Sequence, residues 1–198
     1  MTKEQIFRTV VDRRWSADPA HAVRWEKSLA FVRASGALSL PAAAGLDIGD
    51  HTSVTTMLES YFGCRFSNTT VDLDTGLLDA DSGVAGRRYP VVTAFEVIEH
   101  LFNPLHLLLE IRKVLDPAPS SRLFLSTPSW KPGFLQSPDH FHEMPRRSLD
   151  ALLSRAGFDV VRSAEFGVRS PLFCLKGVRP LLRCFFEKIR IFELAARR

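Results

Sequence analysis

The sequence predicts a mixed α/β fold: a mostly parallel sheet with helices on both faces and room for a late antiparallel strand. Three observations carry that reading. Short apolar runs alternate with stretches of helical spacing through the middle of the chain. Strand-like segments end in acids, as in LDIG (46–49) and VDLD (71–74). The chain has 198 residues, 45% of them apolar, so a sizeable core fits within one domain.

Element by element, Ile6, Phe7, Val10, Val11 and Trp15 stand near helical spacing and predict a first amphipathic helix over 3–15. HAVRWEKSLAFVRA (21–34) predicts a second, stopped by Gly36. A strand is expected at Leu46–Gly49. The next helix is capped by Thr52 or Ser53, runs to Tyr61, and has Gly63 just past its end. Further strands are expected at Thr69–Leu73 and over 89–96. Asn103 and Pro104 form an N-cap and first-turn pair for a helix to Leu115. RLFLSTP (122–128) reads as a strand, 129–145 as a loop rich in Pro and His, Arg147–Ala156 as a helix, and FDVVRSA (158–164) as a strand. The tail predicts a helical stretch broken at Pro180, then a closing strand in IRIFELAARR. One domain over 1–198 is expected, with N-terminal helices (1–39), a core (40–165) and a C-terminal extension (166–198).

Charge is mild, at +4 with a sequence pI near 9.2, short of a nucleic-acid footprint, so no nucleic-acid partner is expected. No apolar run of eighteen residues occurs. The N-terminus lacks a signal-peptide core, and Cys64, Cys174 and Cys184 form no close pair. Free thiols and a cytoplasmic protein are therefore expected.

The loop GLDIGDHTSV (45–54) has one glycine after the strand, with an acid and His51, rather than the glycine-rich nest that a pyrophosphate needs. An adenosine cofactor without phosphates fits better than a dinucleotide. This ranks a nicotinamide oxidoreductase last. Acids near the tips of successive strands suit ribose hydroxyls. Glu96, Glu99 and His100 form the most reactive-looking cluster, open equally to satisfying local backbone groups. His140 and His142 with one nearby Glu fall short of a metal set, so no metal is assigned.

LDIG, VDLD, VVTAFEVIEHLFNPLHLLLEIRKVLDP, LFLSTP and HFHEMPRRSLDALLSRAGFDVV occur in an order and spacing that resembles class I S-adenosylmethionine-dependent methyltransferases. The subset with an E-V-x-E-H-L signature, small-molecule methylases, is the most similar, over residues 40–165. The resemblance implies a Rossmann-like sheet and S-adenosylmethionine as cofactor. It also implies methyl transfer to a small-molecule acceptor, expected at oxygen. Position by position it implies cofactor contacts for Asp47, Gly49, Asp72, Asp79, Phe95 and Glu96, and His51 and Leu73 are expected to bind the cofactor beside them. His100, with Glu99, is the expected catalytic pair, the imidazole taking the acceptor's proton. Trp130, His140 and His142 are expected on the acceptor side. His51 replaces a usual glycine, which leaves a second reading open: a degenerate cofactor-binding or regulatory protein without turnover. The basic, apolar stretch 179–190 is open to a peripheral membrane or lipophilic-substrate contact, or to packing on the domain or a partner subunit. Oligomeric state stays undetermined.

Overall fold

A computed structural model describes residues 19–38, 40–84, 86–169 and 171–197. The helix expected over 3–15 lies outside these residues. The elements are α1 (Pro19–Arg33), β1 (Gly45–Asp47), α2 (Ser53–Phe62), β2 (Phe66–Asn68), β3 (Val91–Phe95), α3 (Pro104–Val114), β4 (Arg122–Pro128), α4 (Arg146–Arg155), β5 (Phe158–Gly167), α5 (Pro171–Cys174), α6 (Val178–Phe186) and β6 (Lys188–Ala196). Single 3₁₀ turns cover Ile98–His100 and Gly133–Leu135.

The six strands form one sheet in the order β2-β1-β3-β4-β6-β5. β2, β1, β3 and β4 run parallel, while β6 pairs antiparallel with both β4 and β5. The late strand is thus present, inserted between its neighbours rather than at an edge. The chain leaves β1 toward β2 on one side and returns through β3 on the other, so strand order reverses at the β1–β3 pair. In open α/β sheets that crevice, at the carboxyl ends of the strands, is where ligands sit.

Both faces of the central strands are buried, and alternate residues feed two cores. Val92 and Ala94 of β3, with Leu123 and Leu125 of β4, pack with Leu107, Leu108 and Ile111 of α3 and Leu149 and Leu153 of α4. Val91, Phe95 and Phe124 face the other way, against Leu29 and Val32 of α1 and Val54, Leu58 and Phe62 of α2. Helix ends follow local chemistry. The Asn103 side chain accepts the His106 N–H, and Pro104 fills the first turn of α3. Thr52 and Thr55 form a reciprocal cap on α2, and Gly63 ends it in the left-handed region at φ 64°.

Three expectations are corrected. The second strand is Phe66–Asn68, four residues or more before Asp72, rather than Thr69–Leu73. The segment after it folds instead around the buried Asp81 carboxylate, which accepts from Thr70 N, Val71 N, Gly83 N and the Thr70 hydroxyl. Pro180 does not break the tail helix: it sits in the first turn of α6, where a missing N–H costs no intrahelical bond. Cys184 is disulfide-bonded, whereas Cys64 is free.

Candidate active site

The crevice begins with Asp47, the last residue of β1, opposite Thr93 in the β3 register. Its carboxylate is 6% exposed and accepts from the Thr93 hydroxyl (2.6 Å, Oδ1) and the Thr55 hydroxyl (2.6 Å, Oδ2). Burial pushes its pKa up to about 6, against the downward pull of those two donors and of nearby His51. Thr55 also closes the α2 cap, so one hydroxyl ties the acid to the helix start. Gly49 follows at φ 106°, a conformation side chains rarely adopt, and a Cβ built there meets nothing within 4 Å. Its N–H donates to Thr69 Oγ1 (2.9 Å), and the Asn68 amide donates to the carbonyls of both Asp47 and Gly49 (3.1 Å each). Asn68, Thr69, Thr55 and Thr93 are therefore positioning residues that motif reading missed. An N-T-T run at the start of an expected strand gives little signal, although threonines facing a strand-end acid are a recognisable hydrogen-bonding set.

His51 is exposed, and among the described residues other than glycine only Glu96 has positive φ. The loop thus asks for no left-handed backbone at His51, and the space beside Gly49 is clear. An adenosyl group without phosphates fits this loop: one glycine at an open approach, a buried acid beneath it, and no amide nest.

Asp72, expected at a strand tip, lies exposed in a turn beyond β2. Its Oδ1 accepts the Asp74 N–H (2.8 Å), and Leu73 packs on the α3-side core. The turn is pinned to α3 because Asp74 accepts the Asn103 N–H (2.7 Å) and His106 Nε2 donates to Gly76 O (2.9 Å). Asp79 is exposed in the next turn, in the segment that Asp81 organises.

At the tip of β3, Phe95 is buried and Glu96 takes φ 57°. Glu96 is held three ways: its N–H donates to Ser126 O (3.0 Å), while its carboxylate accepts from Ser126 Oγ (2.8 Å) and Arg24 of α1 (2.8 Å). The 3₁₀ turn then delivers Glu99 and His100. The Glu99 carbonyl accepts from Phe141 N (2.7 Å) and His142 N (3.2 Å), which draws the loop after β4 over the turn. His140 is thereby set edge-on to His100, ring centres 4.7 Å apart.

Glu99 is fully buried; Thr127 donates to its Oε2 (3.2 Å). Burial, then the neighbouring Glu96, raises its pKa well above the carboxylate range. His100 Nδ1 lies 2.9 Å from Asp139 O. A carbonyl only accepts, so Nδ1 carries the hydrogen and Nε2 the lone pair. Burial and His140 lower the His100 pKa. His140 Nδ1 donates to Glu143 Oε1 (2.6 Å), which also takes Lys131 Nζ. His142 turns away, donating through Nε2 to Phe102 O (3.3 Å), and Trp130 is 47% exposed just beyond β4. The structure thus brings together Asp47, Gly49, Phe95 and Glu96 on one side and Glu99, His100 and His140 on the other. His142 stands apart from the second group.

The pattern of the methyltransferase domain family matches residues 33–163. No curated protein sequence matches the chain significantly. Among solved structures, a Haloferax volcanii complex of the Trm112 methyltransferase activator with a chain described as a methyltransferase aligns at 13% identity. That match covers 96% of this chain and 100% of that one, with a TM-score of 0.62. Burkholderia thailandensis 1,6-didemethyltoxoflavin-N1-methyltransferase, with its acceptor and S-adenosylhomocysteine bound, aligns at 14% identity over 94% of this chain and 82% of that one, TM-score 0.54. Haemonchus contortus phosphoethanolamine N-methyltransferase 2, in complex with S-adenosyl-L-methionine, aligns at 14% identity over 88% and 53%, TM-score 0.58. At such identities the likeness is one of fold. With the family pattern spanning most of the chain and its sheet reversing at β1–β3, this chain belongs to the methyltransferase domain family, with the class I S-adenosylmethionine-dependent fold.

Proposed function

We propose that the chain transfers a methyl group from S-adenosylmethionine to a hydroxyl oxygen of a small-molecule acceptor. The observation that carries the oxygen assignment is His100, whose Nδ1 is spent on the Asp139 carbonyl while Nε2 keeps its lone pair beside the crevice. The bound donor supplies an already electrophilic methyl group. The chain's own residues have to hold the two reactants in line, keep water out, and take the proton that an attacking hydroxyl must lose. Positioning of this kind is worth up to about 7–11 kcal/mol when alignment is good.

On the donor side, the clear space at Gly49 admits close approach, while Asp47, fixed by Thr55 and Thr93, holds the loop in shape. Asp72 Oδ1 accepts the Asp74 N–H, so Oδ2 is the oxygen assigned to ribose hydroxyls, with Leu73, Asp79, His51, Phe95 and Glu96 as the other proposed donor-side residues. On the acceptor side, His100 receives the hydroxyl proton in the metal-free chain, and Glu99 and His140 fix the imidazole's surroundings. Trp130 lines the approach.

The α5–α6 segment supports a lipophilic or membrane-borne acceptor. Leu172, Leu175, Val178, Leu181 and Phe185 are 43–82% exposed there, with Lys176 and Arg179 between them. The segment leaves the sheet after Gly167 and rejoins it at Lys188, which pair with each other. Ile189, next along β6, pairs with Pro128, so the segment rises from the carboxyl end of β4. No helix among the described residues is long and apolar enough to cross a membrane, so this contact is peripheral.

The test is calorimetric titration with S-adenosylmethionine and S-adenosylhomocysteine, followed by transfer of labelled methyl to a panel of phenols, catechols and aliphatic alcohols. Binding of both ligands is expected. On whichever hydroxylated compound turns over, His100→Ala lowers kcat about 10²–10⁴-fold and leaves S-adenosylhomocysteine affinity unchanged. Folded protein that binds neither ligand refutes the proposal.

A further inference from the structure

Glu99, His100 and His140 each offer one ligating atom, and these three atoms lie within 4.8 Å of one another. The hydrogen bonds around them leave one ring nitrogen on each histidine and one oxygen of Glu99 uncommitted. His100 Nδ1 is taken by the Asp139 carbonyl and His140 Nδ1 by Glu143, so both imidazoles keep the Nε2 lone pair. Glu99 gives Oε2 to Thr127, and its Oε1 is fully buried without a hydrogen-bond partner. A buried carboxylate oxygen left unmatched is expensive, and each such atom in a folded protein asks what satisfies it.

We infer that Glu99, His100 and His140 bind one divalent first-row transition ion, of the zinc or manganese kind. Two imidazole nitrogens and one carboxylate oxygen suit such ions. Calcium and magnesium ask for oxygen ligands throughout. The outer contacts that metal-binding histidines use are in place: a backbone carbonyl behind His100 and a carboxylate behind His140. Lys131 holds that carboxylate and Arg24 pairs with Glu96, so the adjoining acids are already balanced, and Glu99, which burial keeps protonated without an ion, supplies the site's negative charge by giving up its proton as the cation binds. Metal–ligand bonds of about 2.0–2.2 Å place neighbouring ligands nearer than the present outer limit, so side-chain rotation closes the set. Three protein ligands leave coordination positions for water or an oxygen of the acceptor.

The role of those open positions rests on the methyl-transfer reading; ion binding itself does not. With the ion seated, His100 would serve as a ligand rather than a proton acceptor, and a hydroxyl at an open position would release its proton to solvent water more readily, because the dication would stabilise the alkoxide that takes the methyl group.

The experiment strips the full chain with chelator, dialyses it against ZnCl₂ or MnCl₂, counts retained metal by mass spectrometry, and titrates each ion calorimetrically. One ion per chain is expected. Glu99→Gln, which keeps the side-chain volume, and His140→Ala each weaken binding tenfold or more, while His106→Ala binds as the parent does. S-adenosylhomocysteine affinity is measured on the parent with and without ion and on the two site variants, and is unchanged among them. Parent protein that retains no ion, or both site variants retaining it at parental affinity, overturns the inference. Intact S-adenosylhomocysteine binding in that outcome leaves the methyltransferase reading standing, and lost S-adenosylhomocysteine binding with a retained ion does the reverse.

Discussion

The Thr93 hydroxyl donates to Asp47 Oδ1 at 2.6 Å, across the strand pair where the order of the sheet reverses. This bond joins the two halves of the fold at the base of the ligand crevice. Thr55 completes it from α2, so strand, helix and opposing strand meet on one carboxylate. The acid is a keystone of the loop first, and whatever it gives a ligand comes through the loop it shapes.

The pH dependence of stability follows. Asp47 titrates near 6 in the folded chain and near 3.8 in the unfolded one, so the folded state binds the proton more tightly. Its contribution is present below about pH 4 and is lost as pH rises through 6. The loss is about 3 kcal/mol at roughly 1.4 kcal/mol per pH unit of displacement. Asp47→Asn, which cannot ionise, removes this component, so the stability difference between parent and variant shifts toward the variant between pH 4 and pH 7. Urea denaturation of both proteins across that range measures it. A difference that does not change with pH shows that the buried charge costs nothing.

Gly49 and His51 separate on backbone grounds. Gly49 sits at φ 106°, where a side chain costs about 1–3 kcal/mol even though its Cβ has room. Gly49→Ala therefore lowers stability by that amount and weakens S-adenosylhomocysteine binding about tenfold or more. His51 has neither positive φ nor a buried side chain, so His51→Gly shifts affinity by less than about threefold. Calorimetry on the two variants decides; a large gain in the second restores the degenerate-protein reading.

Most of the scaffold was legible because its signals are local. Asn103 and Pro104 start α3, Thr52 and Gly63 bound α2, and the Pro128 stop ends β4, all within a residue of expectation. The second strand was misplaced because Thr69–Leu73 has strand-like composition, while its backbone donors go to Asp81, an acid ten residues onward that no period reveals. The layout of the candidate site was half legible for the same reason. Asp47, Gly49 and the EVIEH segment stand at strand ends, where sequence order fixes place. His140 joins His100 only because the Glu99 carbonyl captures the 139–142 loop through the backbone, a contact that side-chain identity does not encode. His142, two residues away and chemically equal, is turned to Phe102 instead.

The α5–α6 surface gives a prediction about location. Its exposed leucines and Phe185, interleaved with Lys176 and Arg179, match an anionic bilayer in both apolar and charged respects. Cosedimentation with vesicles containing phosphatidylglycerol is expected, weaker with neutral lipid and at high salt. Leu175→Ser with Phe185→Ser lowers it at least tenfold. Protein that stays in the supernatant while self-associating with concentration assigns the face to a partner subunit.

Arg24 ties α1 to the tip of β3, and this link governs the shape of the site at a distance from the chemistry. Glu96 is strained at φ 57° and 5% exposed in its side chain, so its carboxylate depends on Arg24 and Ser126 to offset burial. Removing the guanidinium leaves one buried charge with a single hydroxyl partner. Arg24→Ala therefore costs about 2–4 kcal/mol, the lower end applying because Arg24 keeps some solvent contact. Glu96→Gln on that background removes the stranded charge and restores part of the loss, so the two changes are non-additive. Denaturant unfolding of the four proteins in the cycle measures the coupling. If the double variant is no more stable than Arg24→Ala alone, the cost lay in lost packing of α1 rather than in an unpaired carboxylate. In that case the strain at Glu96 is held by Ser126 without help from the first helix.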